Sequence, residues 1–307
     1  MNFIVTGGAG FIGSHVTEQL LSKGHCVTVV DNLTTGSLQN LPEHPSLKLL
    51  QKNILTCQPE DFTGPIDGIV HLAATPSVTE SWLQPLEAHH NNLSATIAVI
   101  QLCQALNIPR LVFASSAAVY GNPIEIPISE KHATSPISPY GLQKLVSEQY
   151  TSLFAKQTQF SVVALRFFNV FGPRQNPKSQ YSGVISIFAD AIKQGLPITI
   201  YGDGTQTRDF VYVKDVADAC NRALTSSLDA GLCSICNVGT GKSISLLQLV
   251  EILKDCFPTW QSDIQFEPSR PGDIVHSKGD IASASSILGF TSQYSFETGI
   301  RLFTESL

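Results

Sequence analysis

The chain has 307 residues, 43% of them hydrophobic and 14% charged, with 22 glycines and 17 prolines. That length calls for one large α/β unit or two coupled lobes, and so apolar a composition excludes a disordered or coiled-coil protein. A net charge of −6 with no basic run excludes a broad positive surface for nucleic acid or an anionic membrane.

The opening residues, MNFIVTGGAG, lack a basic leader and run straight into a glycine turn, so they read as mature structure and not as a signal peptide. No apolar stretch approaches the length of a membrane span. Continuously apolar, β-branched runs predict strands at 2–6, 25–31, 47–53, 68–74, 110–116 and 161–168. Between them, helical patterns cover 11–22, 80–106 and 139–157. Such alternation predicts a parallel, doubly wound sheet covered on both faces. Ligands of such sheets bind beyond the carboxyl ends of the strands.

After residue 171 the pattern loosens, with helices expected at 184–194 and 246–257. The chain is therefore divided into a dinucleotide-binding part, 1–170, and a smaller lobe, 171–307. The boundary is interleaved, because VYVKDV and SICNVG can both return to the main sheet. Seven cysteines are scattered at 26, 57, 103, 220, 233, 236 and 256. The close pair Cys233 and Cys236 sits in an apolar run with no second pair to complete a metal set. Buried thiols in a reducing cytoplasm are the reading, with no metal.

The segment Thr6-Gly7-Gly8-Ala9-Gly10-Phe11-Ile12-Gly13 follows the first strand and opens the first helix. Gly7 suits a tight turn, Gly10 a close backbone approach to a pyrophosphate, and Gly13 close helix–strand packing. The helix start then offers free N–H groups to phosphate. Asp31 ends the second strand, eighteen residues beyond Gly13. A carboxylate there accepts ribose hydroxyls and repels the extra phosphate of NADP, so NAD is the expected cofactor.

The fifth strand runs into Ser115-Ser116-Ala117-Ala118, and Tyr140 and Lys144 stand four apart on one face of the helix that Pro139 opens. A Tyr-x-x-x-Lys pair alone is more often a surface pair; downstream of a dinucleotide turn and a serine-ended strand it reads as catalytic. Tyrosine ordinarily ionises near pH ~10, and a neighbouring ammonium together with the positive nicotinamide ring lowers that value. Tyr140 would then take a proton from a sugar hydroxyl while Ser116 steadies the oxygen.

TGGAGFIG, DNL, HLAATPSV, SSAAVYG, SPYGLQK, RFFNVFGPRQNP, GDGTQTRDFVYV, NVGTG and RPGD occur in that order along nearly the whole chain. In this the chain resembles the nucleotide-sugar epimerase branch of the extended short-chain dehydrogenases/reductases. The resemblance implies a Rossmann-type α/β fold with a smaller α/β substrate-binding lobe. It implies Ser116, Tyr140 and Lys144 as the catalytic residues. It implies NAD contacts at Gly7, Gly10, Phe11, Ile12, Gly13, Asp31, Asn32, Gly36, Asn53 and Ile54, at Leu72, Ala73, Ala74 and Thr75, and at Asn92, Tyr140, Lys144 and Phe168. Asn53 stands where many relatives carry aspartate at the adenine, and its amide oxygen can still accept a hydrogen bond.

For a UDP-sugar substrate the resemblance implies Ser116, Tyr140, Asn169, Gly183, Val184, Thr199, Ile200, Tyr201, Arg208, Arg270, Asp273 and Ser277. Each arginine alone could be a surface charge; the ordered set carries the reading, and guanidinium forks suit phosphate. Dehydratase relatives place an acid after the serine strand, where this chain has Ala117-Ala118, so epimerisation at carbon-4 is expected. Galactose-type enzymes carry a bulky tyrosine seven residues beyond the RxGD arginine, where this chain has Ser277. The smaller side chain leaves room for an N-acetyl group.

The expected reaction is therefore UDP-GlcNAc/UDP-GalNAc interconversion, with UDP-Glc/UDP-Gal also accepted. UDP-glucuronate 4-epimerase, strict UDP-glucose 4-epimerase and a non-catalytic NAD sensor are the alternatives. Surplus apolar residues on 80–106 and 139–157 (Ile97, Val99, Ile100, Leu102, Leu145, Val146, Leu153, Phe154) suggest helix pairing in a homodimer; packing within one chain is the competing explanation.

Overall fold

Runs such as FIVT, VVALRF and LVFA are β-branched, apolar on both faces and too short for helices, so they become central strands of a sheet covered on two sides. The structure, a computed structural model, describes residues 1–158, 160–176, 183–269 and 274–307. The first half holds β1 (Asn2–Thr6), α1 (Phe11–Ser22), β2 (Cys26–Val30), β3 (Leu47–Leu50), β4 (Gly68–His71), α2 (Val78–Leu83), α3 (Pro85–His89), α4 (Ala95–Ala105), β5 (Arg110–Ser116), α5 (Pro139–Thr158) and β6 (Ser161–Phe167). The second half holds β7 (Asn169–Phe171), α6 (Val184–Lys193), β8 (Ile198–Tyr201), β9 (Thr207–Arg208), β10 (Phe210–Tyr212), α7 (Val213–Thr225), β11 (Cys233–Val238), β12 (Ile244–Ser245), α8 (Leu246–Cys256), β13 (Ile264–Glu267), α9 (Ala282–Leu288) and α10 (Phe296–Glu305).

Among the described residues, β11-β6-β5-β4-β1-β2-β3 form one seven-stranded sheet, parallel throughout. This is the expected doubly wound, Rossmann-type arrangement. One face is covered by Val16, Leu20 and Leu21 of α1 and by Val216, Ala219 and Cys220 of α7. The other is covered by Val99, Ile100 and Leu102 of α4 and Ala155 of α5. A separate cluster around Ile185, Phe188, Ile200, Leu249 and Ile300 forms the core of the smaller lobe.

Of the two segments that could return to the main sheet, SICNVG does so as β11, pairing with β6. VYVKDV instead splits into β10, which pairs with β7, and the start of α7. Cys236 and Cys233 of β11 pack into the clusters on opposite sheet faces, as alternation in a strand requires.

The single helix expected over 80–106 is broken. Pro85 cannot donate an N–H and restricts the residue before it, and Gln84 accordingly leaves helical geometry at φ −132°, ψ 64°. After α3 the chain winds through a π-turn at His90–Ser94 before α4 begins. Of the apolar surplus assigned to a partner, Val99, Ile100 and Leu102 are absorbed by this chain's own core, and Leu145 and Phe154 pack partly against it. The outward apolar residues of α5 are Leu142, Tyr150 and Leu153.

Candidate active site

The glycine turn forms where β1 hands over to α1. Gly7 sits at φ +69°, and its N–H donates to Val30 at 2.8 Å, tying the turn to the end of β2. At Gly13 a Cβ would lie 2.1 Å from the carbonyl oxygen of Gly7, so only glycine allows α1 to approach this closely. Gly10 is the N-cap of α1 and brings no side chain to satisfy the first-turn N–H groups, which have no acceptor within the helix.

Asp31 follows β2, nearly buried. Its carboxylate accepts the N–H of Ala9 at 3.0 Å and of Leu33 at 2.8 Å, fixing it against the turn. Gly36 packs behind it, where a Cβ would stand 3.0 Å from both carboxylate oxygens. Asn53 lies beyond β3, which stops at Leu50. Its amide oxygen accepts the N–H of Leu55 at 3.0 Å as a turn cap, so the acceptor expected to face an adenine already has a local donor. Past β4, the hydroxyl of Thr6 accepts the N–H groups of Leu72 and Ala73, both at 3.2 Å, which holds that strand end beside the turn. Asn92 brackets Thr75, accepting its N–H at 2.8 Å and donating to its carbonyl at 3.2 Å.

These elements enclose a cavity of about 390 Å³. It is lined by Gly7, Gly10, Phe11, Ile12, Gly13, Asp31, Asn32, Asn53, Ile54, Leu72, Ala73, Ala74, Thr75, Tyr140 and Lys144, all expected to meet NAD. Gly36 and Asn92 stand behind this wall, supporting Asp31 and Thr75. Phe168 also lies outside the lining, packed with Val119, Tyr120 and Ile128, whereas its neighbour Phe167 lines the cavity. Phe167, Glu80 and Arg174 are lining residues that the sequence reading did not name; strand alternation at 167/168 was the available signal for the first. An uncapped helix start, a fixed carboxylate and a long cleft ending at Tyr140 suit a dinucleotide whose pyrophosphate needs N–H donors and whose ribose needs an acceptor.

The start of α5 delivers Tyr140 to the lining, and β5 delivers Ser116 beside it, outside the lining itself. Ser138 accepts the Gly141 N–H at 3.1 Å, and Ser81 accepts the Tyr140 N–H at 3.1 Å. A Cβ on Gly141 would lie 2.6 Å from the Ala118 carbonyl, so glycine lets the helix close onto the turn after Ser116. Ser116 accepts the Ala118 N–H at 3.1 Å and hydrogen-bonds the phenol of Tyr140. Lys144 donates to the carbonyl of Ala114 at 2.8 Å, with its ammonium 5.9 Å from the Tyr140 ring centre.

Burial pushes the Tyr140 phenol above its ordinary value, opposed by the Ser116 hydrogen bond. Burial likewise lowers Lys144 to about 8, with Glu148 opposing. In the protein alone desolvation is the dominant influence on the phenol; the expected lowering rests on the ammonium acting together with the positive nicotinamide ring of bound NAD. Below Lys144, the buried pair Glu148 and Arg166 meets at 2.7 Å and 2.9 Å, and Ser115 donates to the same carboxylate.

In the smaller lobe a second cavity of about 230 Å³ gathers Asn169, Val184, Thr199, Tyr201 and Arg208, with Phe188, Gln206 and Leu246 not named from sequence. Ile200 is turned into the lobe core, and Gly183 is the N-cap of α6. Ser277 is buried beside β9, its N–H donating to Thr207 at 3.1 Å, outside the lining of either cavity. Arg270 and Asp273 lie outside the described residues.

Residues 3–239 match the NAD dependent epimerase/dehydratase family. The UDP-N-acetylglucosamine 4-epimerase of Methanobrevibacter ruminantium, solved with UDP-N-acetylmuramic acid, superposes with a TM-score of 0.94 at 37% identity, covering 99% of this chain and 97% of that one. The UDP-glucose 4-epimerase of Thermus thermophilus, solved with NAD, gives 0.88 at 33% identity, covering 100% and 98%. The UDP-glucose 4-epimerase of Mycolicibacterium smegmatis is 33% identical over 309 residues, 98% of this chain and 96% of that protein. A doubly wound fold with a dinucleotide cleft ending at a Ser–Tyr–Lys set defines an NAD-dependent enzyme of the extended short-chain dehydrogenase/reductase class. The chain belongs to the NAD dependent epimerase/dehydratase family.

Proposed function

We infer that this enzyme is an NAD-dependent UDP-sugar 4-epimerase, and we propose that it interconverts UDP-GlcNAc and UDP-GalNAc, with UDP-Glc and UDP-Gal also accepted. The observation that carries the reading is that Tyr140 and Lys144 line the NAD cavity and Ser116 hydrogen-bonds the Tyr140 phenol, with Ala117 and Ala118 in the turn that follows. Tyr140 takes the proton of the sugar's 4-hydroxyl and later returns one, and Ser116 donates to the same oxygen as charge develops on it. Lys144 supplies positive charge beneath them. Bound NAD supplies the acceptor and donor of hydride at carbon-4. The turn offers no acid to expel a further hydroxyl, so the keto sugar is reduced again and not dehydrated.

The nucleotide half is assigned to the second cavity, with Asn169 and Arg208 toward the diphosphate and Tyr201 and Thr199 toward the base; Arg270 and Asp273 are assigned to it from the family resemblance alone. The likeness to an enzyme named for UDP-N-acetylglucosamine supports the N-acetyl preference; Ser277, from which the sequence reading drew it, lies outside the lining of both cavities. Assays across UDP-GlcNAc, UDP-Glc and UDP-glucuronate test it. Turnover of UDP-GlcNAc is expected; its absence, with UDP-Glc or UDP-glucuronate converted, refutes the preference while leaving the epimerase assignment standing.

We further propose a homodimer built on α5 and its neighbours, supported by the outward apolar residues Leu142, Tyr150 and Leu153 on α5 and Trp82, Leu83 and Leu86 on α2 and α3. Light scattering of the purified enzyme checks it. Seven free thiols, with Cys26 exposed, support placement in the cytoplasm.

A further inference from the structure

We propose that Arg174, at the entry to the smaller lobe, is a clamp on the coenzyme's pyrophosphate. The stretch FGPRQN crosses from β7 over the second turn of α1. His15 of α1 donates from Nε2 to the carbonyl of Pro173 at 3.1 Å, and the guanidinium of Arg174 is held through Nη2 by Glu18 on the same helix face. Arg174 itself adopts φ +69°, a left-handed conformation that a side chain with a Cβ disfavours. Two anchors and a strained backbone thus fix one guanidinium against the helix whose start faces the coenzyme.

Arg174 lines the 390 Å³ cavity together with Gly10, Phe11 and Ile12. Its second nitrogen, Nη1, is buried and has no hydrogen-bond partner among the described residues. A buried charged donor without an acceptor is costly, and an anion between it and the start of α1 removes the cost. The two other cations on the described lining are committed elsewhere. Lys52 bonds Asp61 at 2.6 Å, and Lys144 bonds the Ala114 carbonyl at the catalytic end. A guanidinium and free N–H groups lining the same cavity suit a diphosphate. The arrangement also makes retention of the coenzyme depend on the first loop of the smaller lobe.

The test uses the full chain, measuring coenzyme content as purified and then, after the coenzyme is stripped, dissociation constants for NAD, ADP, adenosine and UDP by calorimetry. For R174Q the clamp predicts weaker NAD and ADP binding by about ten- to a hundredfold, with adenosine and UDP unchanged. R174K, which keeps the charge on a flexible stem, recovers part of the loss, and melting curves confirm that both variants fold. Unchanged NAD and ADP binding overturns the proposal. So does a loss shared equally by adenosine, which would mark a structural role, or one confined to UDP, which would assign Arg174 to the sugar nucleotide.

Discussion

Lys144 stands one turn after Tyr140 on α5, and its ammonium lies 5.9 Å from that ring's centre while donating to the carbonyl of Ala114 at 2.8 Å. Burial acts on both groups in the same sense, favouring the neutral lysine and the neutral phenol. Lys144 still carries its charge below about pH 8 while the phenol stays neutral, so the protein alone does not generate a phenolate.

Stability should report this. Lys144 titrates near 8 in the folded protein against 10.5 ordinarily. Below pH 8 both states are protonated and the burial penalty is felt in full. Between about 8 and 10.5 the unfolded chain binds the proton that the folded one has lost, so this contribution to stability rises with pH. Urea midpoints of K144M compared with the parent across that window should show the rise removed; an identical pH dependence in both proteins would refute the assignment.

Removing the phenol while keeping the ring tests its proton-transfer role. Y140F should fold and retain coenzyme, because the ring is buried and, among the described residues, its oxygen bonds the neighbouring Ser116. Turnover should fall by about 10²–10⁴-fold. Full activity in Y140F would displace Tyr140 as the base.

The close approach of α1 predicts the effect of a single methyl. G13A places a Cβ 2.1 Å from the Gly7 carbonyl oxygen, and neither backbone can yield cheaply. A loss of about 1–3 kcal/mol in unfolding free energy is expected, accompanied by loss of bound coenzyme. A G13A protein with parental melting temperature and coenzyme content would contradict the described packing.

His71 shows how such legibility runs out. In the sequence it is one letter in HLAAT, but in the structure it is wholly buried, with Nδ1 bonded to Thr6 at 2.7 Å and Nε2 to Thr96 at 3.3 Å. Burial lowers its pKa from 6.5 to about 3. Across that interval the unfolded chain takes up a proton the folded one refuses, so stability falls as the medium is acidified. H71N should show a shallower acid decline in urea midpoint, and an unaltered decline would mean that other groups set it.

What could be read from sequence were features with short-range causes: strands from β-branched runs, the turn from its glycines, and the Tyr140–Lys144 pairing from helical spacing. The break at Pro85 was legible in principle, since proline ends the preceding helix, yet the apolar pattern of 80–106 concealed it. Asn53 was placed at the cavity, but its use as a turn cap depends on where β3 stops. Phe167 and Phe168 differ by one residue, and which faces the cleft depends on the register of β6. Arg174 carried no local signal, because its role depends on Glu18, 156 residues away. Long-range partners decide such positions, and one sequence does not reveal them.

The central claim is that carbon-4 of the sugar loses and regains its own hydrogen within one binding event, with Tyr140 moving only the hydroxyl proton. Turnover of whichever UDP-hexose the enzyme converts, run in heavy water and read by NMR at carbon-4 of the product, tests it directly. The account predicts no deuterium on carbon-4; deuterium there would mean that the hydrogen exchanges with solvent, and the mechanism would be wrong.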